Sequence, residues 1–192
     1  MLRESLIDAA ERLLSERQAG TLTTREIARA AGVSDGVLYN YFADKNELVV
    51  TALVRQYVRL IDRFDTGLPQ PGEATIEENL LVYARHALDA HLGGLPIAMT
   101  LLPAPDLLRR LVDELHSRPG GPQLFAHRFI EYVEGEQRGG RLPPHVDVHA
   151  ATTLFVGSTM MLALTSLMGG APGDPYDQLE GIVTTLLHGI VH

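Results

Sequence analysis

The sequence predicts an all-α protein in which an N-terminal three-helix module, built around a helix-turn-helix, is joined by one long helix to a larger helical C-terminal domain. Three observations carry this. Apolar residues recur at three- and four-residue spacing along most of the chain and nowhere alternate as a half-buried strand would. Glycine and proline clusters at 67–72, 93–96, 103–105, 119–122, 139–144 and 169–175 punctuate the chain into roughly nine or ten helices. Residues 23–48 compress two capped helices and a glycine turn into one short run.

Helix one is predicted over Arg3–Glu16, with Leu2, Leu6, Ala9, Ala10 and Leu13 on one stripe that should lie across the pair that follows. Helix two starts at a capping box. Thr23 can cap it and Glu26, three residues on, can reach back to the amide of the cap. Gly32 follows where the chain must turn sharply and suits positive φ. Ser34 is expected to cap helix three, over Asp35–Phe42, through the amide of Gly36 or Val37. Two helices joined by so short a glycine turn form a helix-turn-helix.

Spacing divides this motif into two faces. Ile27, Ala28, Ala31, Val33, Leu38 and Phe42 should form an inward wedge. Asp35, Gly36, Val37, Tyr39, Asn40 and, at the edge, Tyr41 remain outward. Small residues at the helix start let backbone amides approach a phosphate. A phenol, an amide and a methyl-bearing side chain suit a phosphate, a base edge and a thymine methyl.

The stretch LTTREIARAAGVSDGVLYNYFADKNEL, Leu22 to Leu48, resembles the DNA-binding signature of the tetracycline-repressor (TetR) family of transcriptional regulators. The combination of Thr-Thr-Arg, Ala-Gly-Val-Ser, Leu-Tyr-x-Tyr-Phe and a lysine three residues on carries the likeness. It implies an all-α homodimer with an operator-binding N-terminal module, here 1–47, and a ligand-binding and dimerisation domain, here 48–192. Carried over by position, it implies phosphate contacts at Thr24, Ser34, Tyr39 and Lys45, and groove reading at Arg25, Asp35, Gly36, Val37, Asn40 and Tyr41. Lys45 is the only lysine of the chain and follows a cap at Asp44. Asp35 either accepts from a cytosine amine or lines the solvent edge, and Gly36 and Val37 also suit close packing. Two residues precede helix one, so the basic arm that some relatives place in the minor groove is expected either to be missing or to lie outside this sequence.

The formal charge of −8 opposes DNA binding if read globally, because neutralised phosphates supply much of the affinity. Residues 1–50 hold six basic against eight acidic side chains, and residues 51–192 hold ten against sixteen. The acids of the first part fall largely on helix one and at caps, away from the outward face of helix three. Strong salt sensitivity follows as the expectation.

The long helix begins at Lys45 and places Leu48, Ala52, Leu53, Tyr57, Leu60, Ile61 and Phe64 at helical spacing, and the resemblance makes it the element that links ligand to reading head. Helix five is expected over Thr75–Leu92, ending at Gly93-Gly94-Leu95-Pro96. Tyr83, His86, Met99, Leu102, Phe125, Phe129, Tyr132, Met160 and Met161 are either plain core or the lining of an apolar cavity for a neutral, hydrophobic ligand. Val148–Gly173 carries no formal charge, but six Ser or Thr and a central glycine argue against a membrane span. Packed with a last helix over Tyr176–Val191, it is the candidate dimer interface, through Leu154, Leu162, Ile182, Val183, Leu186, Leu187 and Ile190.

Other chemistry finds little support. The chain has 45% apolar and 21% charged residues, an ordinary globular composition. It has no cysteine, which excludes disulfides, thiolate metal sites and thiol nucleophiles and suits a cytoplasmic protein. MLRESLIDAAERLL lacks the continuous apolar run of a signal peptide. His145/His149 and His188/His192 have i, i+4 spacing but no matching carboxylate, so no metal site, cofactor or catalytic residue is assigned. The expected partners are operator DNA, a second copy and a small-molecule inducer. The alternative is a metal-binding or other helical protein whose helix-turn-helix is not used on DNA.

Overall fold

The computed structural model describes residues 1–118, 123–170 and 173–189, and among them every regular element is helical. In order these are α1 (Leu2–Leu14), α2 (Thr24–Ala30), α3 (Asp35–Leu38), α4 (Lys45–Asp65), α5 (Ile76–Leu101), α6 (Pro105–His116), α7 (Leu124–Arg138), α8 (Val148–Leu167) and α9 (Leu179–His188), with single 3-10 turns at Ala19–Thr21 and Pro175–Gln178. The chain packs as two compact units, Met1–Arg59 with Pro96–Gly121, and Leu60–Leu95 with Pro122–His192. The functional division expected at residue 47 falls within the first unit.

The first unit closes over one apolar core. Leu6, Ile7, Ala10 and Leu14 of α1 meet Ile27 of α2, Leu38 of α3, Phe42, and Leu48, Val49, Ala52 and Leu53 of α4. Leu107, Leu111 and Leu115 of α6 complete it, one residue per helical turn on a single face. Leu2, expected on the inward stripe, is 47% exposed because it starts α1, beyond the reach of the neighbouring helices.

The second unit has an aromatic centre. Phe129 of α7 stacks on Phe155 of α8 at 4.1 Å and 9°, and Tyr83 of α5 meets Phe129 edge-on at 5.9 Å. Phe64 of α4 and Phe125 form a second edge pair at 4.4 Å. Asn79 Nδ2 donates to the Tyr132 hydroxyl at 3.1 Å, so both polar groups are paired although both residues are buried.

Helix α5 corrects the sequence reading. It runs through Gly93, Gly94 and Pro96 rather than stopping at Leu92. Gly93 serves close packing: a Cβ there would lie 2.6 Å from Leu60 Cδ2 of α4. Pro96 removes one hydrogen bond from a long helix, a local loss that the flanking turns tolerate. The last helix is also shorter than expected, since 175–178 form a 3-10 turn and α9 starts at Leu179.

Helix α8 is long and apolar enough to cross a membrane by composition alone. In this unit Thr152, Phe155, Thr159, Leu162 and Ala163 bury one side of it within the core. Its opposite side exposes Leu154 and Met161.

His91 of α5 is buried against Phe125, with ring centroids 5.6 Å apart and no partner for Nε2. Burial disfavours the imidazolium and lowers its pKa. The unfolded chain therefore takes up the proton first, so this contribution to stability is complete above the ordinary value of about 6.5 and is lost as pH falls from there through the lowered value of the folded state. Thermal melts at pH 7.5 and pH 5.0 are expected to show a smaller acid-induced loss in His91→Leu than in the wild type.

Candidate nucleic-acid interface

The outward face of the N-terminal module is built by two helix ends. Thr23 accepts from the Glu26 amide at 3.3 Å, and Glu26 Oε2 accepts from the Thr23 amide at 2.9 Å, completing the capping box. Hydrogen bonds from the Thr23 hydroxyl and from Arg17 Nη1 pull the Glu26 pKa down to about 2, so this cap stays ionised at neutral pH. At the other end the Gly32 amide donates to Arg29 O at 3.1 Å and the Val33 amide to Ala28 O at 3.0 Å. With Gly32 at φ 71°, this is the Schellman termination of α2.

Helix α3 departs from the expectation in length and cap. Its regular part is one turn, Asp35–Leu38, and Ser34 makes no side-chain cap bond. The Val37 amide bonds to the Ser34 carbonyl instead, at 3.0 Å. Beyond Leu38 the chain tightens, with Asn40 donating to Val37 O at 3.2 Å and Tyr41 to Leu38 O at 3.0 Å. These three-residue steps still carry the chain round to Phe42, which is buried with Leu38.

The expected contact residues fall on one side of these turns. Arg25, Ser34, Asp35, Gly36, Tyr39, Asn40 and Tyr41 are exposed, and Thr24, Val37 and Lys45 are half-buried. Tyr39 is the most open of the aromatic residues at 61%. Lys45 has a structural bond that the sequence did not indicate: its Nζ donates to the Leu22 carbonyl at 2.7 Å. The carbonyl belongs to the backbone, so no side-chain pattern marks it. Asp44 caps α4 by accepting from the Glu47 amide at 2.7 Å, and that bond together with Arg110 holds its carboxyl below the usual range.

Behind this face lies an ionic cluster that the sequence reading missed. Arg55 of α4 bonds Glu4, Asp8 and Glu11 of α1, and Arg59 also reaches Glu11, at 3.0 Å. Burial works to raise the Glu11 pKa, but hydrogen bonds from Arg55 and Arg59 outweigh it and hold the carboxyl below its ordinary value. The i, i+4, i+7 spacing of the three acids was the available signal.

The remaining candidates separate. Of the nine proposed pocket residues, Tyr83, Phe129 and Tyr132 are buried in the second unit's core and Phe125 packs against it, because their rings interlock. Met99 and Leu102 belong to the first unit and are exposed, and Met160 and Met161 are exposed on α8. His86 alone of the nine lines a cleft of about 400 Å³ in the second unit, with Leu60, Arg63, Phe64, Asp89, Ala90 and Gly93. Its Nδ1 lies 2.9 Å from the Phe64 carbonyl, which can only accept, so Nδ1 carries the proton.

Of the interface set, Leu162 and Val183 are buried within the protomer, in the core that also holds Phe129 and Phe155. Leu154, Ile182 and Leu186 line an open groove of about 890 Å³ with Ser158, Gly181 and Thr185. Leu187 is half-buried against the core, and Ile190 lies outside the described residues, as does His192 of the second histidine pair. Among the described residues no group of three His, Cys, Asp or Glu is placed to hold a metal ion.

Comparison with known proteins bears on the same face. Residues 6–52 match the family profile described as bacterial regulatory proteins, tetR family. The chain is 30% identical over 121 residues to the HTH-type transcriptional regulator AlkX of Mycobacterium tuberculosis, covering 59% of this chain and 54% of that one. It is 30% identical over 82 residues to the fatty acid metabolism regulator protein of Bacillus subtilis, covering 42% and 41%. It thus spans about half or less of the length of these curated relatives. Among solved structures, FadR from Bacillus subtilis in complex with stearoyl-CoA superposes with TM-score 0.70 at 20% identity over 98% of this chain and 99% of that one. A putative TetR-family transcriptional regulator from Mesorhizobium loti gives TM-score 0.75 at 18% identity over 97% and 95%. At such identities the likeness establishes the fold.

The α2 termination yields a direct test. A Cβ on Gly32 would meet nothing within 4 Å, so Gly32→Ala costs backbone strain alone, about 1–2 kcal/mol, and Gly32→Asn less, because asparagine tolerates left-handed backbone. Urea unfolding of the two variants beside the wild type checks both the loss and its order.

Proposed function

We propose that the chain is a member of the tetR family of bacterial regulatory proteins, whose profile its N-terminal residues 6–52 match, and that it is a sequence-specific DNA-binding transcriptional regulator, a repressor that a small, mostly apolar ligand releases from its operator. The observation that carries this reading is the exposed face of Asp35–Tyr41, turned outward by the burial of Leu38 and Phe42. On it, Thr24, Ser34, Tyr39 and Lys45 take phosphate oxygens, and Arg25, Asp35, Gly36, Val37, Asn40 and Tyr41 face the major groove. Residues 1–47 are the DNA-binding part and 48–192 the ligand-binding and dimerisation part of this cytoplasmic protein.

Two copies are needed to read a palindrome. The α8–α9 groove supports self-association, because Leu154 of α8 and Ile182 and Leu186, one turn apart on α9, present apolar surface along it. Ligand response is supported by the 400 Å³ cleft between the end of α4 and α5, of a size that suits a small molecule. It is supported too by relatives whose names refer to fatty acid metabolism and to bound stearoyl-CoA. Both α4 and α5 contribute residues to each packing unit, so a ligand seated on them bears on helices that also build the DNA-binding unit.

Selection of genomic fragments on the purified protein, followed by footprinting, is expected to return a palindrome. Failure to retain any duplex at low salt would sink the reading. Lys45→Ala is expected to weaken binding to all sequences and to lower the slope of log K against log salt by about 1. Arg25→Ala and Asn40→Ala are expected instead to change which operator is preferred, by about 1–3 kcal/mol at the contacted position. Ile182→Asp combined with Leu186→Asp is expected to give monomers in sedimentation and to weaken binding to the full palindrome far more than to a half-site.

A further inference from the structure

Apolar packing through Leu6, Ile7, Ala10 and Leu14 holds α1 near α4, but it is non-directional. The ionic cluster is directional. Arg55 Nη1 donates to Glu4 Oε2 at 3.1 Å, Nε to Glu11 Oε1 at 2.9 Å and Nη2 to Glu11 Oε2 at 2.8 Å, and Nη2 also bonds Asp8. One planar guanidinium thus engages carboxylates spread over two turns of α1, about 10 Å along its axis. The side chain of Arg55 is 29% exposed and that of Glu11 15%, so solvent screens the Glu11 bonds only in part, whereas Glu4 and Asp8 are more than half exposed and their bonds are the weaker ones. The attitude of α1 is passed on, because Arg12 Nη2 donates to the Ala30 carbonyl at the end of α2 at 3.1 Å, and Leu6 shares a core with Ile27 and Leu38.

We propose that Arg55 is a positioning residue: by gripping Glu4, Asp8 and Glu11 it fixes the angle of the three-helix reading head on α4, and so sets how strictly the protein discriminates the separation of two half-sites. This rests on the DNA-binding reading above. A one-base-pair change of spacing rotates one half-site by about 35° against the other, which a head of fixed angle cannot follow. A head that pivots on α4 can. Arg55 touches no base in this scheme, so the base preference within a half-site is independent of it. Lysine keeps the charge at position 55 but cannot grip three carboxylates in one plane.

The test uses the full chain and two readouts. Fluorescence anisotropy titrations compare wild type, Arg55→Lys and Glu11→Gln on duplexes that keep the selected half-sites and alter their separation by one base pair each way. Wild type is expected to lose at least about tenfold in affinity at the wrong spacing and Arg55→Lys less than about threefold, with half-site base preference unchanged. Equal loss at every spacing would reduce Arg55 to a stabilising residue and overturn the proposal. The second readout needs no DNA. The chain has no cysteine, so nitroxides at Arg29→Cys on α2 and Val58→Cys on α4 report the angle of the head directly. Their distance distribution is expected to be narrow with Arg55 and to broaden with Arg55→Lys; equally narrow distributions overturn the proposal. Should no duplex bind the wild type, the DNA-binding reading fails while the distance measurement still decides the clamp, and Glu11→Gln serves both readouts if Arg55→Lys does not fold.

Discussion

Helix α3 is a single turn, too short to hold its shape unaided, since isolated helices of fewer than about 12 residues are marginal in water. Its form and direction depend on Leu38, fully buried, and Phe42, almost so, which pin the turn and the segment after it to α1 and α4. Everything that faces outward in this region does so because these two side chains face inward. The caps on either side set the length of the flanking segments, and Gly32 sets the angle between them. A four-residue helix and the turn after it can therefore present six neighbouring residues in fixed order.

Electrostatics follow from the same packing. With a net charge of −8 the chain is a poor polyanion ligand by composition, and α1 adds three carboxylates on one face. In the folded unit those carboxylates are turned to Arg55 and Arg59, and Glu26 is tied to Arg17 and Thr23. Several acids around the outward face are thus bound to internal cations or to caps, while Asp35 stands exposed on it. A count of charges along the sequence weighs all of them equally, whereas the fold removes several from competition with phosphate.

The second unit uses a different device. Its interior is filled by interlocked rings, and one side of α8 closes over them. The long uncharged run 148–173 is thereby split between a side that seals the protomer and a side, with α9, that is left open. Burial on one side and an apolar opening on the other account for a composition that resembles a membrane span.

Local signals in the sequence determined the all-α class, the capping box at Thr23, the turn at Gly32, and the inward set Ile27, Ala28, Leu38 and Phe42. Each rests on bonds or spacings within a few residues, which a reader of the chain can count. Only the tertiary structure decided the features made by distant segments. The α6 leucines joined the N-terminal core, Lys45 found the Leu22 carbonyl, and Arg55 gathered three acids some fifty residues away in the chain. It also decided which residues of the apolar helices face in: Leu162 and Val183 turned to the core, Leu154 to the open groove, and α5 ran on through Pro96. Helical period alone leaves the phase of a helix that is apolar all round undefined, and only contact with its neighbours chooses the buried side.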